Sequence, residues 1–171
     1  MTPSQTVGPF FHDCLLRDDR CESIAGIDAG VRIHVEGRVI DGDGAGVPDA
    51  VIELWQAAGF TRISTDAEGR FSFSTARPTR VAFEGGTMQA PHLSLAIFAR
   101  GLMNHLFTRI YFADEPSTDT DPILRRVPEA RRTTLLARRE PEGSLTPQYW
   151  FDIVLQGEGE TVFFDFKSPV P

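Results

Sequence analysis

Residues Ala90–Phe112 read APHLSLAIFARGLMNHLFTRIYF. The first half of this stretch alternates with a period of two, which predicts a strand with one buried face. Leu93, Leu95, Ile97 and Ala99 fall on one side and are wholly apolar, so that side faces a core. His92, Ser94, Ala96, Phe98 and Arg100 fall on the other, which puts a histidine, a serine and an arginine along one face. A rigid metal site on a strand calls for two histidines at i and i+2, because those positions share a face. This strand offers one histidine and one serine.

Outward from this stretch the pattern repeats. Val31–Ile40 alternates Val31, Ile33, Val35 and Val39 with Arg32, His34, Glu36 and Arg38, again a half-buried strand. DGDGAG at Asp41–Gly46 supplies the turn after it. Further strands are predicted at Val51–Gln56, Ile63–Thr65, Phe71–Thr75 (after a DAEG turn), Leu93–Ala99, Thr108–Phe112, Tyr149–Gln156 and Thr161–Phe166. Eight short strands separated by turn signals predict an all-β chain, an antiparallel β-sandwich with short helical turns. The 15 glycines and 12 prolines agree, since both interrupt long helices. One helical segment is expected around Asp121–Leu136, where Asp121 followed by Pro122 reads as a cap and a first helical residue. Pro128 should split it into two short turns. Its arginines, Arg125, Arg126, Arg131, Arg132, Arg138 and Arg139, read as a solvated basic face.

With 171 residues, the chain suits one domain, 1–171, with a real core. Residues 1–30 form an irregular N-terminal arm in this reading, and the two phenylalanines of VGPFF anchor it. The formal net charge of -7 argues against nucleic acid as a partner. No run has the apolar length of a membrane helix. The start lacks a charged region followed by an apolar one, and two cysteines, Cys14 and Cys21, are too few for a disulfide framework. These features predict a cytoplasmic protein with free thiols. No Gly-rich phosphate loop, serine elbow or zinc pattern is present. His12 and His105 have no carboxylate or histidine at ligand spacing, and His34 sits on the polar side of its strand.

Six pieces carry a family likeness. They are TPSQTVGPFF (Thr2–Phe11), VIELWQA (Val51–Ala57), TDAEGRFSF (Thr65–Phe73), APHLSLAIFARG (Ala90–Gly101), LFTRIYF (Leu106–Phe112) and GEGETVFFDF (Gly157–Phe166). In this order the chain resembles the intradiol ring-cleavage dioxygenases, and among them the alpha chains of heteromeric members. The resemblance implies a prealbumin-like sandwich and a homologous catalytic beta subunit as partner. It implies cleavage of protocatechuate by O2, between its two hydroxyl-bearing carbons, to 3-carboxy-cis,cis-muconate in the beta-ketoadipate pathway. It also implies a Fe(III) cofactor held by two tyrosines and two histidines of the beta chain.

This chain departs from that ligand set. It has two tyrosines, Tyr111 and Tyr149, and neither precedes Pro91, where the family's ligand tyrosines lie. Arg77–Gln89 contains none. His92 matches the first histidine position and Ser94 the second. The expectation is therefore a chain with no metal ligand and no catalytic residue of its own, in which His92 is a half-buried, hydrogen-bonded histidine. Carried over from the family, Thr6, Gly8, Pro9 and Arg100 are the expected substrate-binding residues, on the wall of the partner's pocket. A glycine allows close approach, a proline gives a rigid edge, a threonine one hydrogen bond and an arginine a fixed charge for a carboxylate. The segment between Trp55 and Thr65, QAAGFTRIS, is shorter than in the longer members. A stand-alone prealbumin-like binding module is the alternative reading, since GRVIDGDGAGVPDAVIEL and TDAEGRFSF would suit one by themselves.

Overall fold

The computed structural model describes residues 3–8, 11, 15, 16, 30–57, 59–141 and 145–165. Cys14, Cys21, His12, Phe10 and Phe166 lie outside them. Among the described residues the chain forms β1 (Arg32–Ile40), β2 (Val51–Gln56), β3 (Gly59–Ser64), β4 (Arg70–Ala76), β5 (Val81–Ala82), β6 (Met88–Gln89), β7 (His92–Phe98), β8 (Leu106–Phe112), β9 (Leu136–Arg139), β10 (Gln148–Trp150) and β11 (Ile153–Val154).

The alternation works as its chemistry demands. Ile33, Val35 and Val39 of β1 and Leu93, Leu95 and Ile97 of β7 all point inward, at no more than 1% exposure. Ile52 and Leu54, Ile63, Phe71 and Phe73, Ile110 and Phe112, and Tyr149 fill the same core. Each such aliphatic side chain contributes about 1.5–3 kcal/mol by leaving water. Val31, predicted to face the core, lies before the strand and is exposed.

β3 pairs with β2, β2 with β7, β7 with β8, β8 with β9 and β9 with β10. β10 and β11 pair with successive parts of β1, and β1 pairs with β4. β3 and β4 are therefore the ends of the path, yet they touch and are joined by one turn, so the sheet is nearly closed. Asp66 makes that turn: its Oδ1 accepts from the amides of Glu68 (3.0 Å) and Arg70 (2.7 Å). Gly69 holds φ +75 there, and a Cβ on it would lie 2.6 Å from the Val47 amide nitrogen.

The sheet is mixed, where the sequence pattern predicted a purely antiparallel sandwich. β1 runs parallel to β10 and β11, and β8 runs parallel to β9. Parallel neighbours need a long crossover, and residues 113–135 are that crossover between β8 and β9. The predicted helical segment is thus a connector: 3-10 turns at Pro116–Thr120, Leu124–Arg126 and Thr133–Leu135, and a single α-turn at Glu129–Arg132 after Pro128. It roofs a second small core of Ala90, Tyr111, Leu124, Val127 and Leu135. Its arginines bond backbone more than acids. Arg125 donates to the Asp119 carbonyl, and Arg132 to the carbonyls of Val127 and Arg125.

The predicted strand at Thr161–Phe166 is not one in residues 161–165; a lone bridge joins Phe164 to Phe107. The open edge of β8 is shared, β9 taking Tyr111 and Phe112 and Phe164 taking Phe107, so neither builds a long ladder there. The predicted Tyr149–Gln156 strand is two short pieces. Between them Phe151 turns its carbonyl toward β1, and a Cβ on Gly37 would sit 1.8 Å from that oxygen. Only glycine fits at position 37.

An ionic latch closes the sheet end beyond Tyr111. Arg77 donates to Tyr149 Oη (2.6 Å) and to both carboxylate oxygens of Asp114 (3.3 Å each), and Tyr149 Oη donates to Asp114 Oδ2 (3.0 Å). Arg77 also lies over the rings of Phe112 and Tyr149. Burial pushes the Asp114 carboxyl up, but the hydrogen bonds from Arg77 and Tyr149 outweigh it and leave it below the ordinary carboxylate value.

Candidate functional site

The outer face of β7 begins at His92, which lies opposite Tyr111 of β8; Ser94 lies opposite Arg109 and, on the other side, opposite Trp55 of β2. His92 is 9% exposed, and its Nδ1 donates to the Ala90 carbonyl at 2.8 Å. It is the hydrogen-bonded histidine expected from the sequence, buried rather than half-buried. Burial, and then the charge of Arg109, push its pKa below the ordinary histidine value, so it stays neutral near pH 7.

Tyr111 is completely buried. Its hydroxyl donates to Asp121 Oδ1 (3.0 Å) and accepts from Arg109 Nη1 (3.2 Å). Arg109 Nη1 also donates to Gln89 Oε1 at 2.6 Å. Burial pushes the Tyr111 phenol well above its ordinary value, although Arg109 opposes this. Asp121 is completely buried too, and both of its carboxylate oxygens accept hydrogen bonds. Oδ1 also accepts from the amides of Ile123 and Leu124 (2.8 Å each), and Oδ2 accepts from the Ala90 amide (2.8 Å). The cap predicted at Asp121 is therefore the hub of a network that joins the crossover to β8 and to the start of β7. Sequence reasoning missed Gln89, Arg109 and Tyr111 as its other members. Arg109 and Tyr111 are at i and i+2 on one strand face, and that spacing was the available signal.

These donors do not fit a ferric ion. Such a site needs anionic phenolates and paired imidazoles, whereas here stand one neutral imidazole, a serine hydroxyl, a phenol held protonated and an arginine. Among the described residues no three His, Cys, Asp or Glu side chains gather to hold a metal.

The other end of the face differs. The chain turns after β7, and the Gly101 amide donates to Thr6 Oγ1 at 2.8 Å, so the arm meets the Arg100–Gly101 turn. Arg100 Nη2 donates to Asp49 Oδ2 at 3.0 Å, with half of the arginine side chain exposed. Gly8 is exposed, its carbonyl accepts from the Phe11 amide, and among the described residues other than its chain neighbours no atom lies within 4 Å of where a Cβ would be. Pro9 lies outside the described residues. The structure thus brings Thr6 to the Arg100–Gly101 turn, through a bond to Gly101, 95 positions away in the chain. Beneath the arm is a cavity of about 210 Å³, lined by Val7, Phe11, Phe98, Leu102, Met103 and His105 among others. Phe11 packs on Phe98 (5.6 Å between centroids), and His105 stacks on Phe98 and meets Phe107 edge-on.

Residues 7–157 match a family described as Dioxygenase. The chain is 38% identical to the protocatechuate 3,4-dioxygenase alpha chain of Burkholderia cepacia, over 96% of this chain and 96% of that one. It is 30% identical to the protocatechuate 3,4-dioxygenase beta chain of the same organism, over 92% of this chain and 77% of that one. A solved hydroxyquinol 1,2-dioxygenase from Pseudomonas putida DLL-E4 superposes with a TM-score of 0.65 at 22% identity, over 90% of this chain and 65% of that one. At that identity the last likeness concerns the fold alone.

Proposed function

The chain belongs to the dioxygenase family, and on that premise we propose that it is the non-catalytic alpha subunit of a heteromeric protocatechuate 3,4-dioxygenase. The observation that carries this reading is a pairing of two facts. The likeness to an alpha chain runs along 96% of both proteins, while the face of β7 where the resemblance puts the family's histidines holds His92, bonded to the Ala90 carbonyl, and a serine, Ser94, beside a Tyr111 phenol bonded to Asp121. The homology to a beta chain supports a homologous catalytic partner. That partner would hold the Fe(III), which activates the catechol toward O2 when bound.

In this reading the chain contributes the wall of its partner's substrate pocket. Thr6, Gly8 and Pro9 of the arm and Arg100 after β7 are the residues assigned to it. Arg100 meets the substrate carboxylate through a charge-assisted hydrogen bond, worth about 1.5–3 kcal/mol when desolvated. Half-buried Phe11, Phe163 and Phe164 and exposed Met103 and Trp55 offer apolar surface for an obligate interface. No helix among the described residues is long and apolar enough to cross a membrane. We place the complex in the cytoplasm.

The test is steady-state kinetics on the complex co-expressed with a beta chain. Arg100→Ala should raise KM for protocatechuate by roughly ten- to a hundredfold, at unchanged iron content, with much less effect on uncharged catechol. Equal loss on both substrates would mean damaged assembly, and no loss on either would make Arg100 a plain surface residue.

A further inference from the structure

The Arg100 head group is held by a residue with an unusual backbone. Asp49, in the Pro48–Asp49 turn before β2, has φ 59 and is the one non-glycine residue with positive φ among the described residues. Aspartate and asparagine tolerate that conformation better than other side chains. The turn by itself would accept either. What aspartate adds is charge, and its Oδ2 lies 3.0 Å from Arg100 Nη2.

The contact is made by one terminal nitrogen. Nη1 and Nε of Arg100 have no protein partner among the described residues, so one edge of the planar fork stays free. A guanidinium presents two parallel donors to a carboxylate along such an edge. The backbone beside Arg100 is restrained as well, because Thr6 accepts from the Gly101 amide. Without Asp49, a side chain about half exposed on a turn would sample many rotamers, and a ligand would have to order it on binding.

We propose that Asp49 is a positioning residue, which holds one side of the Arg100 guanidinium and presents the other to the carboxylate of an aromatic substrate. This rests on the role assigned to Arg100 above. The opposite role is physically open to a carboxylate there: it could compete with the substrate for Arg100. The free edge argues for positioning, and the two roles differ in sign.

Asp49→Asn keeps the positive-φ turn and an acceptor but removes the charge. Asp49→Gly keeps the turn and removes the side chain. In the co-expressed complex, both should raise KM for the carboxylated catechol, by roughly three- to tenfold for glycine and less for asparagine. KM for uncharged catechol should move by less than about twofold. Adding either substitution to Arg100→Ala should change nothing further, because the residue acts through the arginine. A fall in KM for the carboxylated substrate would overturn the proposal in favour of competition. An equal rise on both substrates would overturn it in favour of a purely structural turn. If Arg100→Ala is selective and neither Asp49 variant is, positioning fails while the pocket-wall role of Arg100 stands. If Arg100→Ala is itself without effect, both fall.

Discussion

At the His92 end of β7 the outer face is shut, and at the Arg100 end it is open. His92, Tyr111 and Asp121 are nearly or wholly buried, and every polar atom described for Asp121 has a partner inside the chain. Arg100 and Thr6 are exposed, and the arginine spends one contact on Asp49. The strand and its alternation are common to both ends. What differs is the cover: a well-packed crossover, residues 113–135, lies over the first, and a short arm touches the second. One strand can thus have one end of its outer face closed by hydrogen bonds and packing and the other end left exposed.

The largest effect expected on this contrast comes from Asp121→Ala. It would strand the Tyr111 hydroxyl and three backbone amides without their acceptor in a buried place. A loss of about 3–5 kcal/mol in urea unfolding is expected. A loss under about 1 kcal/mol would mean that the shut end is held by packing and not by this carboxylate.

A smaller effect should appear with acid. The Asp114 carboxyl lies below its ordinary value in the fold, so the latch stabilises the folded state above the unfolded carboxylate pKa of about 3.9. That contribution is lost as pH falls through the folded value. Glu115 adds to it: the Ser117 hydroxyl is the main cause of its lowered pKa. Below about pH 4 stability should drop, and Asp114→Asn, less stable at pH 7, should show a flatter decline. Unfolding curves at several pH values check this, and identical slopes for both proteins would remove Asp114 from the account.

The smallest effect belongs to the open end. Thr6→Val removes the bond from the Gly101 amide. Stability should change by less than about 1 kcal/mol, since the bond is exposed. Hydrogen exchange at Gly101 should nevertheless speed up by roughly two- to tenfold. Unchanged exchange would mean that the arm is held on β7 by Phe11 and Phe98 alone.

Much of this was legible in the chain. The inward set Leu93, Leu95, Ile97 and Ala99 needed only a period of two, and the DAEG turn needed only the chemistry of Asp66 and Gly69. The absence of a second histidine at Ser94 was equally plain. The mixed pairing was hidden, because a parallel neighbour leaves no local trace and is set by how a distant segment returns. The Tyr111–Asp121–Arg109 network was hidden for the same reason: Asp121 reads locally as a cap, and nothing local says that a phenol waits on the neighbouring strand.

By itself the sequence determined the longer strands β1, β2, β4, β7 and β8, their buried faces and the turns at Asp41–Gly46 and Asp66–Gly69, because each depends on neighbours within a few residues, and its residue types alone show that no phenolate and paired-imidazole ligand set stands at His92 and Ser94. Only the tertiary structure decided that the sheet nearly closes with parallel pairs, that Asp121 serves two elements at once, that Thr6 reaches Gly101, and that Asp49 meets Arg100. Those are contacts between residues far apart in the chain, and their geometry exists only after the chain has folded around the core.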